Sequence, residues 1–153
     1  MIRKLKKEEA EKLMEEMNLQ YDSQLKEEGL FLSKDEKRES RKIFLYTGDA
    51  IPNVPAEWTG QHYCTITGDK MIIPSIEGAQ AIGKTAKKTI DLDYEQAKYV
   101  MSGRDVEVAE EKEGGYYILK TGRDVLGVGF VEGRKILNRT PKSRRTMQQY
   151  RTI

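Results

Sequence analysis

The sequence is organised around residues 115–145, which read GYYILKTGRDVLGVGFVEGRKILNRTPKSRR. Residues 115–120 form a short run rich in aromatic and β-branched side chains, and residues 125–131 form a second apolar run. Between them, residues 121–124 have the composition of a turn, with one Gly and one Asp. Two such runs joined by a short loop predict a β-hairpin.

Two glycines in the second run indicate an irregular strand. Gly127 and Gly129 lie two residues apart, so both point to the same face. Glycine weakens a strand, and a pair on one face is typical of a bulge, a bend in a barrel or the close approach of another backbone. All three interpretations remain open at the level of sequence.

Beyond a second turn at Glu132 and Gly133 the chain becomes strongly basic. Residues 134–153 hold seven of the 27 Lys and Arg and no acidic residue, whereas the other 133 residues carry 20 basic and 25 acidic side chains. This segregation favours a local cationic surface over a solubilising tail, because the basic run directly follows the hairpin. A glycine-bent hairpin that leads into a cationic strand predicts a small barrel with one edge facing a polyanion, which we expect to be RNA.

These segments, in this order, resemble a PUA domain, the small RNA-binding β-barrel of pseudouridine synthases and archaeosine transglycosylases. The motifs are GYYILK, DVLGVG and LNRTPKSRR, and SGRDV at residues 102–106 resembles the motif that opens the barrel after its first helix. The ending is most similar to the PUA-like domain at the C-terminus of Sun-family RNA cytosine methyltransferases. The resemblance covers roughly residues 84–145.

Length and composition limit the class of protein. A chain of 153 residues suits one ordinary domain or two small ones. Cys64 is the only cysteine, which excludes an intramolecular disulfide and favours a reducing compartment. The first residues carry charge but no apolar signal-peptide region, and no apolar run approaches the roughly 20 residues that span a bilayer. We therefore expect a cytoplasmic protein that has no membrane partner.

The N-terminal part alternates helix and strand signals. Apolar residues recur at helical spacing over residues 6–21, and residues 43–47 have the composition of a buried strand. Residues 61–67 and 70–73 flank a turn at Gly68 and Asp69, which predicts another hairpin. Ser75 is a candidate N-cap for a helix that Gly83 stops. Residues 33–42 are polar throughout and predict an exposed loop.

A second helix signal opens the C-terminal part. Asp93 and Gln96 have the spacing of a capping box for a helix that ends at Met101, and Gly103 follows at the position of a C-terminal glycine. Val106 and Val108 alternate with Glu107 as in a short strand. The chain thus divides into a unit over residues 1–83 and a barrel with a basic tail over residues 84–153. An α/β unit before the barrel resembles the ribosome-biogenesis factors in which a "pre-PUA" domain precedes the PUA domain.

The sequence offers little catalytic chemistry. His62 is the only histidine, and together with Cys64 it falls short of the three or four ligands that zinc takes from a protein. No complete Ser-His-Asp, phosphate-loop or dinucleotide motif is present. The Sun-family relatives keep their cofactor site and catalytic cysteines in a separate, larger domain, for which this chain has no room. We therefore expect no enzymatic activity, no cofactor and no metal.

The sequence predicts an α+β protein: an N-terminal α/β pre-PUA unit followed by a small C-terminal PUA-like β-barrel. It predicts a protein that binds rRNA or tRNA. The expected role is that of an accessory factor in RNA modification or ribosome assembly. A modifying enzyme or a pre-ribosomal protein is the further partner that we expect. The predicted RNA contacts are polar and mostly cationic: Lys120, Arg123, Arg134, Lys135, Asn138, Arg139, Lys142, Arg144 and Arg145. Asn138 is equally well explained as a turn residue. The alternatives are an adaptor that binds a protein partner through its N-terminal unit, and an enzyme of unrecognised type.

Overall fold

The computed structural model describes residues 2–27, 29–46 and 61–138, with the backbone alone at Asn138. These residues form two five-stranded sheets and three α-helices. The mixed α/β content agrees with the sequence prediction.

The first sheet is antiparallel throughout, and its strands lie side by side in chain order. Its elements are β1 (Ile2–Lys4), α1 (Lys7–Tyr21), β2 (Leu30–Asp35), β3 (Arg41–Tyr46), β4 (Gln61–Ile66), β5 (Ile72–Pro74) and α2 (Ile76–Gly83). The prediction of an exposed loop over residues 33–42 is wrong at both ends, because β2 runs to Asp35 and β3 begins at Arg41. Only a short 3₁₀ turn, Lys37–Glu39, lies between these strands. Cross-strand pairing extends both strands into a segment that has no apolar signal of its own.

The helix predicted from the apolar spacing over residues 6–21 is confirmed as α1. Leu13, Met17 and Tyr21 fall on one side of the helix and are buried. The hydroxyl of Tyr21 donates to the carbonyl of Ile72 at 2.6 Å, so this buried polar group has a partner in β5. The helix ends at Asp22, which has a left-handed conformation with φ of 49°. α1 is therefore fixed to the first sheet by apolar burial and by a buried hydrogen bond.

α2 begins as predicted and ends differently. The Ser75 hydroxyl oxygen accepts from the Gly78 amide at 3.1 Å, and Ala79 and Ile82 are buried. Gly83 is the last helical residue, not the residue that stops the helix, and its φ is not positive. A Cβ at Gly83 would lie 2.6 Å from Cγ2 of Val125. This glycine lets α2 pack closely on the hairpin of the second sheet.

The second sheet has the strand order β6-β8-β9-β10-β7. Its elements are β6 (Thr89–Asp91), α3 (Tyr94–Met101), β7 (Val106–Glu107), β8 (Gly115–Thr121), β9 (Asp124–Glu132) and β10 (Lys135–Asn138). The predicted hairpin is confirmed as β8 and β9, whereas the parallel pairing of β6 with β8 was not predicted. The order of neighbours is linear, so in the part of the chain that the structure describes the sheet is open. The closed barrel stays a prediction.

The two glycines of β9 have different roles. Leu119 pairs with Gly127 and Lys120 pairs with Val125, so Leu126 is the extra residue of a β-bulge next to Gly127. Gly127 has φ of 147°, which residues that carry a Cβ rarely adopt. A Cβ at Gly129 would lie only 2.5 Å from Cγ2 of Ile136. The bulge and the close approach both occur, at separate residues on one face.

Two hydrophobic cores lie on opposite faces of the second sheet. The larger core joins both sheets and includes Met17, Ile43, Ile82, Ile118 and Val128. The smaller core lies beneath α3 and includes Ile90, Val100, Leu119, Val131 and Ile136. Backbone contacts also join the two parts, since the amide of Lys87 donates to the carbonyl of Asp22 at 2.9 Å. The division at residue 83 stays a prediction, but residues on both sides of it share one core.

Candidate nucleic-acid interface

Four of the nine predicted RNA contacts have described side chains, and these lie at opposite ends of β9. Lys120 and Arg123 lie at the end that carries the β8–β9 turn, and Arg134 and Lys135 follow the turn at the other end. β9 has nine residues, which corresponds to about 26 Å between its ends. One phosphate group therefore cannot contact both pairs. Arg139, Lys142, Arg144 and Arg145 lie outside the described residues, as does the side chain of Asn138.

Lys120 and Arg123 are held by the hairpin turn. Gly122 has φ of 61°, a conformation that the two-residue loop requires, and Arg123 follows it with an exposed side chain. Lys120 lies beside Asp91 of β6 in the parallel register, and its carbonyl accepts from the amide of Leu92 at 2.7 Å. This end of the sheet therefore presents two cations on a fixed backbone, with two carboxylates nearby, those of Asp91 and Asp124.

Arg134 and Lys135 lie in a more acidic environment. Lys135 is opposite Glu132 on one side and Glu107 on the other, and its Nζ lies 4.0 Å from a carboxylate oxygen of Asp105. The group is more than half exposed, so this ion pair contributes little to stability. The backbone is nevertheless fixed, because the carbonyl of Arg134 accepts from the amide of Val108 at 2.8 Å. A phosphate approaching this end would compete with three carboxylates for Lys135.

α3 is defined at both ends by local hydrogen bonds that the sequence predicts. The carboxylate of Asp93 accepts from the Gln96 amide at 2.8 Å, and the Gln96 side chain accepts from the Asp93 amide at 3.0 Å. At the other end, the amide of Gly103 donates to the carbonyl of Val100 and the amide of Arg104 donates to the carbonyl of Tyr99. With φ of 88° at Gly103, these bonds form a Schellman motif. The motif turns the chain so that Arg104 lies beside Tyr99.

α3 exposes aromatic side chains next to cations. Ala97 and Val100 face the smaller core, which leaves Tyr94 74% exposed and Tyr99 45% exposed. The Lys98 ammonium lies 5.4 Å from the centre of the Tyr94 ring, and the Arg104 guanidinium lies 5.6 Å from that of Tyr99. Large exposed aromatic rings are costly in water and are typical of binding surfaces. We call Tyr94, Lys98, Tyr99 and Arg104 the tyrosine–cation surface.

This surface was not predicted from the sequence, although a signal was present. Tyr94 and Lys98 are four residues apart, the spacing at which side chains meet on a helix, and Tyr99 precedes the Gly103 stop by four residues. A third pair of this type is Lys88 over Tyr117 at 4.8 Å, where Tyr117 belongs to β8 and Lys88 precedes β6. Among the described residues, all three cation–π pairs fall within residues 88–117.

The tyrosine–cation surface borders one of the predicted contacts. β7 pairs antiparallel with β10, with Val106 opposite Ile136. Continuing this register places the residues before Val106 next to the end of β10, within the basic segment of residues 134–153. The ion pair of Asp105 with Lys135 is consistent with that placement. The structure therefore places Lys135 on the strand next to β7, which begins two residues after Arg104, and leaves Lys120 and Arg123 at the far end of β9.

The two side chains considered for catalysis, those of Cys64 and His62, are buried or hydrogen-bonded within the protein. Burial raises the pKa of the Cys64 thiol to about 12, so the thiol stays protonated. The His62 ring contacts the Cys64 carbonyl at 3.1 Å, and burial followed by the charge of Lys42 lowers its pKa. Within the described ranges, no three His, Cys, Asp or Glu side chains cluster as metal ligands would. None of the helices described here is long and apolar enough to cross a membrane.

Comparison with known families gives a match to the C-terminal part of the chain. Residues 87–146 match the family described as the methyltransferase RsmF PUA domain. This segment is a PUA-like domain. The match confirms the resemblance drawn over residues 84–145 to the C-terminal domains of Sun-family methyltransferases, and it contains α3, the hairpin and β10. PUA domains are RNA-binding modules, so the match supports RNA binding in general terms. A search of curated proteins finds no match to the chain.

Proposed function

We propose that this chain binds unpaired or locally unpaired segments of rRNA or tRNA through its PUA-like domain. The observation that carries the proposal is the tyrosine–cation surface on α3. Bases of any sequence stack on exposed aromatic rings, and neighbouring cations attract the phosphates that link them. Lys98 on α3 and Arg104, which follows the helix, lie beside the two rings, so both kinds of contact are present together.

We propose further that the chain acts without chemistry of its own, as an accessory factor in RNA modification or ribosome assembly. The protonated, buried Cys64 supports this, because a thiol in that state is a poor nucleophile. His62 is half-buried and bonded to its own strand, so it is poorly placed as a free base. A single free cysteine also suits a cytoplasmic setting, where thiols stay reduced.

The test replaces the aromatic rings. The Tyr94→Ala/Tyr99→Ala variant should bind a fluorescein-labelled single-stranded RNA at least tenfold more weakly, because removing each base stack costs about 1–3 kcal/mol. Tyr94 is mostly exposed and Tyr99 nearly half exposed, so the melting temperature should change little. Fluorescence anisotropy at fixed salt measures the affinity, and circular dichroism measures the melting.

The matched control is the Tyr94→Phe/Tyr99→Phe variant, which keeps both rings and should retain most of the affinity. If the alanine variant binds RNA as tightly as the parent chain, the α3 surface is not the interface. If the parent chain does not bind RNA at physiological salt, the proposed function itself is wrong.

A further inference from the structure

A groove of about 620 Å³ lies between α1 and the start of β2, far along the chain from the tyrosine–cation surface. One wall is the face of α1 that carries Ala10 and Met14, four residues apart. The other wall is formed by Leu30 and Phe31 at the beginning of β2, and Leu5 closes the end where β1 leads into α1.

The two walls meet in a floor that is apolar and fixed in place. Ala10, Met14 and Leu30 are half-buried, so part of each side chain faces the open groove. The sulfur of Met14 accepts from the amide of Glu27 at 3.3 Å, which holds the flexible thioether against the floor. Leu5 is bonded through its amide to the carbonyl of Phe31 at 2.9 Å. Both walls are therefore preformed in the free protein.

The rim of the groove is cationic. Lys4, Lys6 and Lys7 line it with exposed side chains, and among the described residues none of them forms an ion pair with a carboxylate. The two acidic residues of the lining are Glu11 and Glu27, and the carboxylate of Glu27 already accepts from the Tyr63 hydroxyl at 3.1 Å. The N-terminal end of α1 lies at the same place and adds a partial positive charge.

We propose that this groove docks an acidic segment of a protein partner, anchored by one or two large apolar side chains. An apolar floor with cationic residues on its rim complements alternating apolar and acidic side chains. The basic segment after β10 is a poor occupant, because residues 134–153 contain no Asp or Glu. RNA phosphates would pair with the lysines, but RNA has no aliphatic side chain to fill the apolar floor.

Such docking would make the chain an adaptor, joining an RNA held by the PUA-like domain to a protein held by α1 and β2. The inference does not depend on the proposed RNA function, because the two surfaces share no residue. A negative result in the RNA-binding test therefore does not affect the interpretation of the peptide-binding test, and the reverse also holds.

The experiment uses the full chain and a fluorescein-labelled peptide, Glu-Asp-Leu-Glu-Asp-Leu-Phe-Glu, as the probe. We expect saturable binding by anisotropy, weakened about tenfold by the double charge reversal Lys4→Glu/Lys7→Glu and by Ala10→Gln, which fills the floor. The matched control is Lys34→Glu/Lys37→Glu, which makes the same change in charge at exposed positions outside the groove. Melting curves establish that all variants are folded.

A second probe with serine in place of leucine and phenylalanine should not bind. Amide shifts on titration should concentrate at residues 5–14 and 29–31. The proposal is overturned if the serine probe binds equally well, if the groove and control variants weaken binding equally, or if no saturation occurs below about 1 mM. It is also overturned if a uridine oligonucleotide displaces the peptide and shifts the same amides.

Discussion

α1 and α3 are both amphipathic helices, yet they differ in what their exposed sides carry. α1 buries Leu13, Met17 and Tyr21 in the core that joins the two sheets. α3 buries only Ala97 and Val100, over the smaller core. A helix that buries little and still exposes two tyrosines is poorly explained by folding alone. The comparison shows that α1 contributes more to the shared core, whereas α3 carries the surface that we propose binds RNA.

The largest expected effect tests the structural side of this comparison. Replacing Met17, which is fully buried, by Ala should lower the free energy of unfolding by about 2–5 kcal/mol, because it reduces apolar burial and leaves a cavity. Because the core of Met17 includes Ile118 and Val128 of the second sheet, urea denaturation should remain a single transition. The control Leu19→Ala, at a position 83% exposed on the same helix, should change stability by less than about 0.5 kcal/mol. Two separate transitions would show that the sheets fold independently.

A smaller effect is expected in the core beneath α3. Gly129→Ala places a Cβ 2.5 Å from Ile136 Cγ2 and 3.0 Å from Leu119 Cδ1, so those side chains must move. The expected cost is about 1–3 kcal/mol by denaturant unfolding. Gly114→Ala is the control, because its Cβ would meet one backbone oxygen at 3.4 Å, an ordinary contact. Equal stability of the two variants would contradict the close approach at Gly129.

The cap of α3 should contribute about 1 kcal/mol to stability. Asp93→Ala removes the acceptor for the Gln96 amide, whereas Asp93→Asn retains a good N-cap and should be nearly neutral. Thermal melting followed by circular dichroism measures both. If the alanine variant also binds RNA more weakly at a temperature where it is fully folded, the position of α3 matters for binding.

The smallest change in stability is expected at the predicted cationic contacts. Replacing Arg134, Lys135, Arg139 and Lys142 by Ala should alter stability by only a few tenths of a kcal/mol per residue, because charges that follow a strand end are typically solvated and contribute little. Removing one phosphate contact should flatten the log–log salt dependence of binding to single-stranded RNA by about 0.7. Arg134 and Lys135 are exposed, and the other two lie outside the described residues.

The double variant Lys120→Ala/Arg123→Ala tests whether RNA reaches the far end of β9. A flattened slope in both variants requires RNA to run the length of the sheet. A change in only one variant assigns the interface to that end, and an unchanged slope in both removes the predicted contacts from the site.

Local chemistry in the sequence determined the hairpin of β8 and β9, both ends of α3 and the apolar side of α1. In each case the decisive residues are within a few positions of one another: Gly122 in the turn, Asp93 with Gln96 at the cap, and Gly103 at the stop. The resemblance of residues 84–145 to a PUA domain rested on the order of four quoted motifs, and the family match over residues 87–146 confirms it. For the candidate site, the sequence identified cationic residues. It did not predict which of these cations lie close together in the structure.

Tertiary structure decided the features that depend on residues distant in the chain. Strand pairing extended β2 and β3 into a polar segment and set β6 parallel to β8. Gly83 matters because Val125 approaches it, a contact between positions 42 residues apart in the sequence. The tyrosine–cation surface became visible only once the smaller core fixed which side of α3 is buried. Helical spacing gives relative positions on a helix, but the partner that covers one face determines which side chains remain exposed for binding.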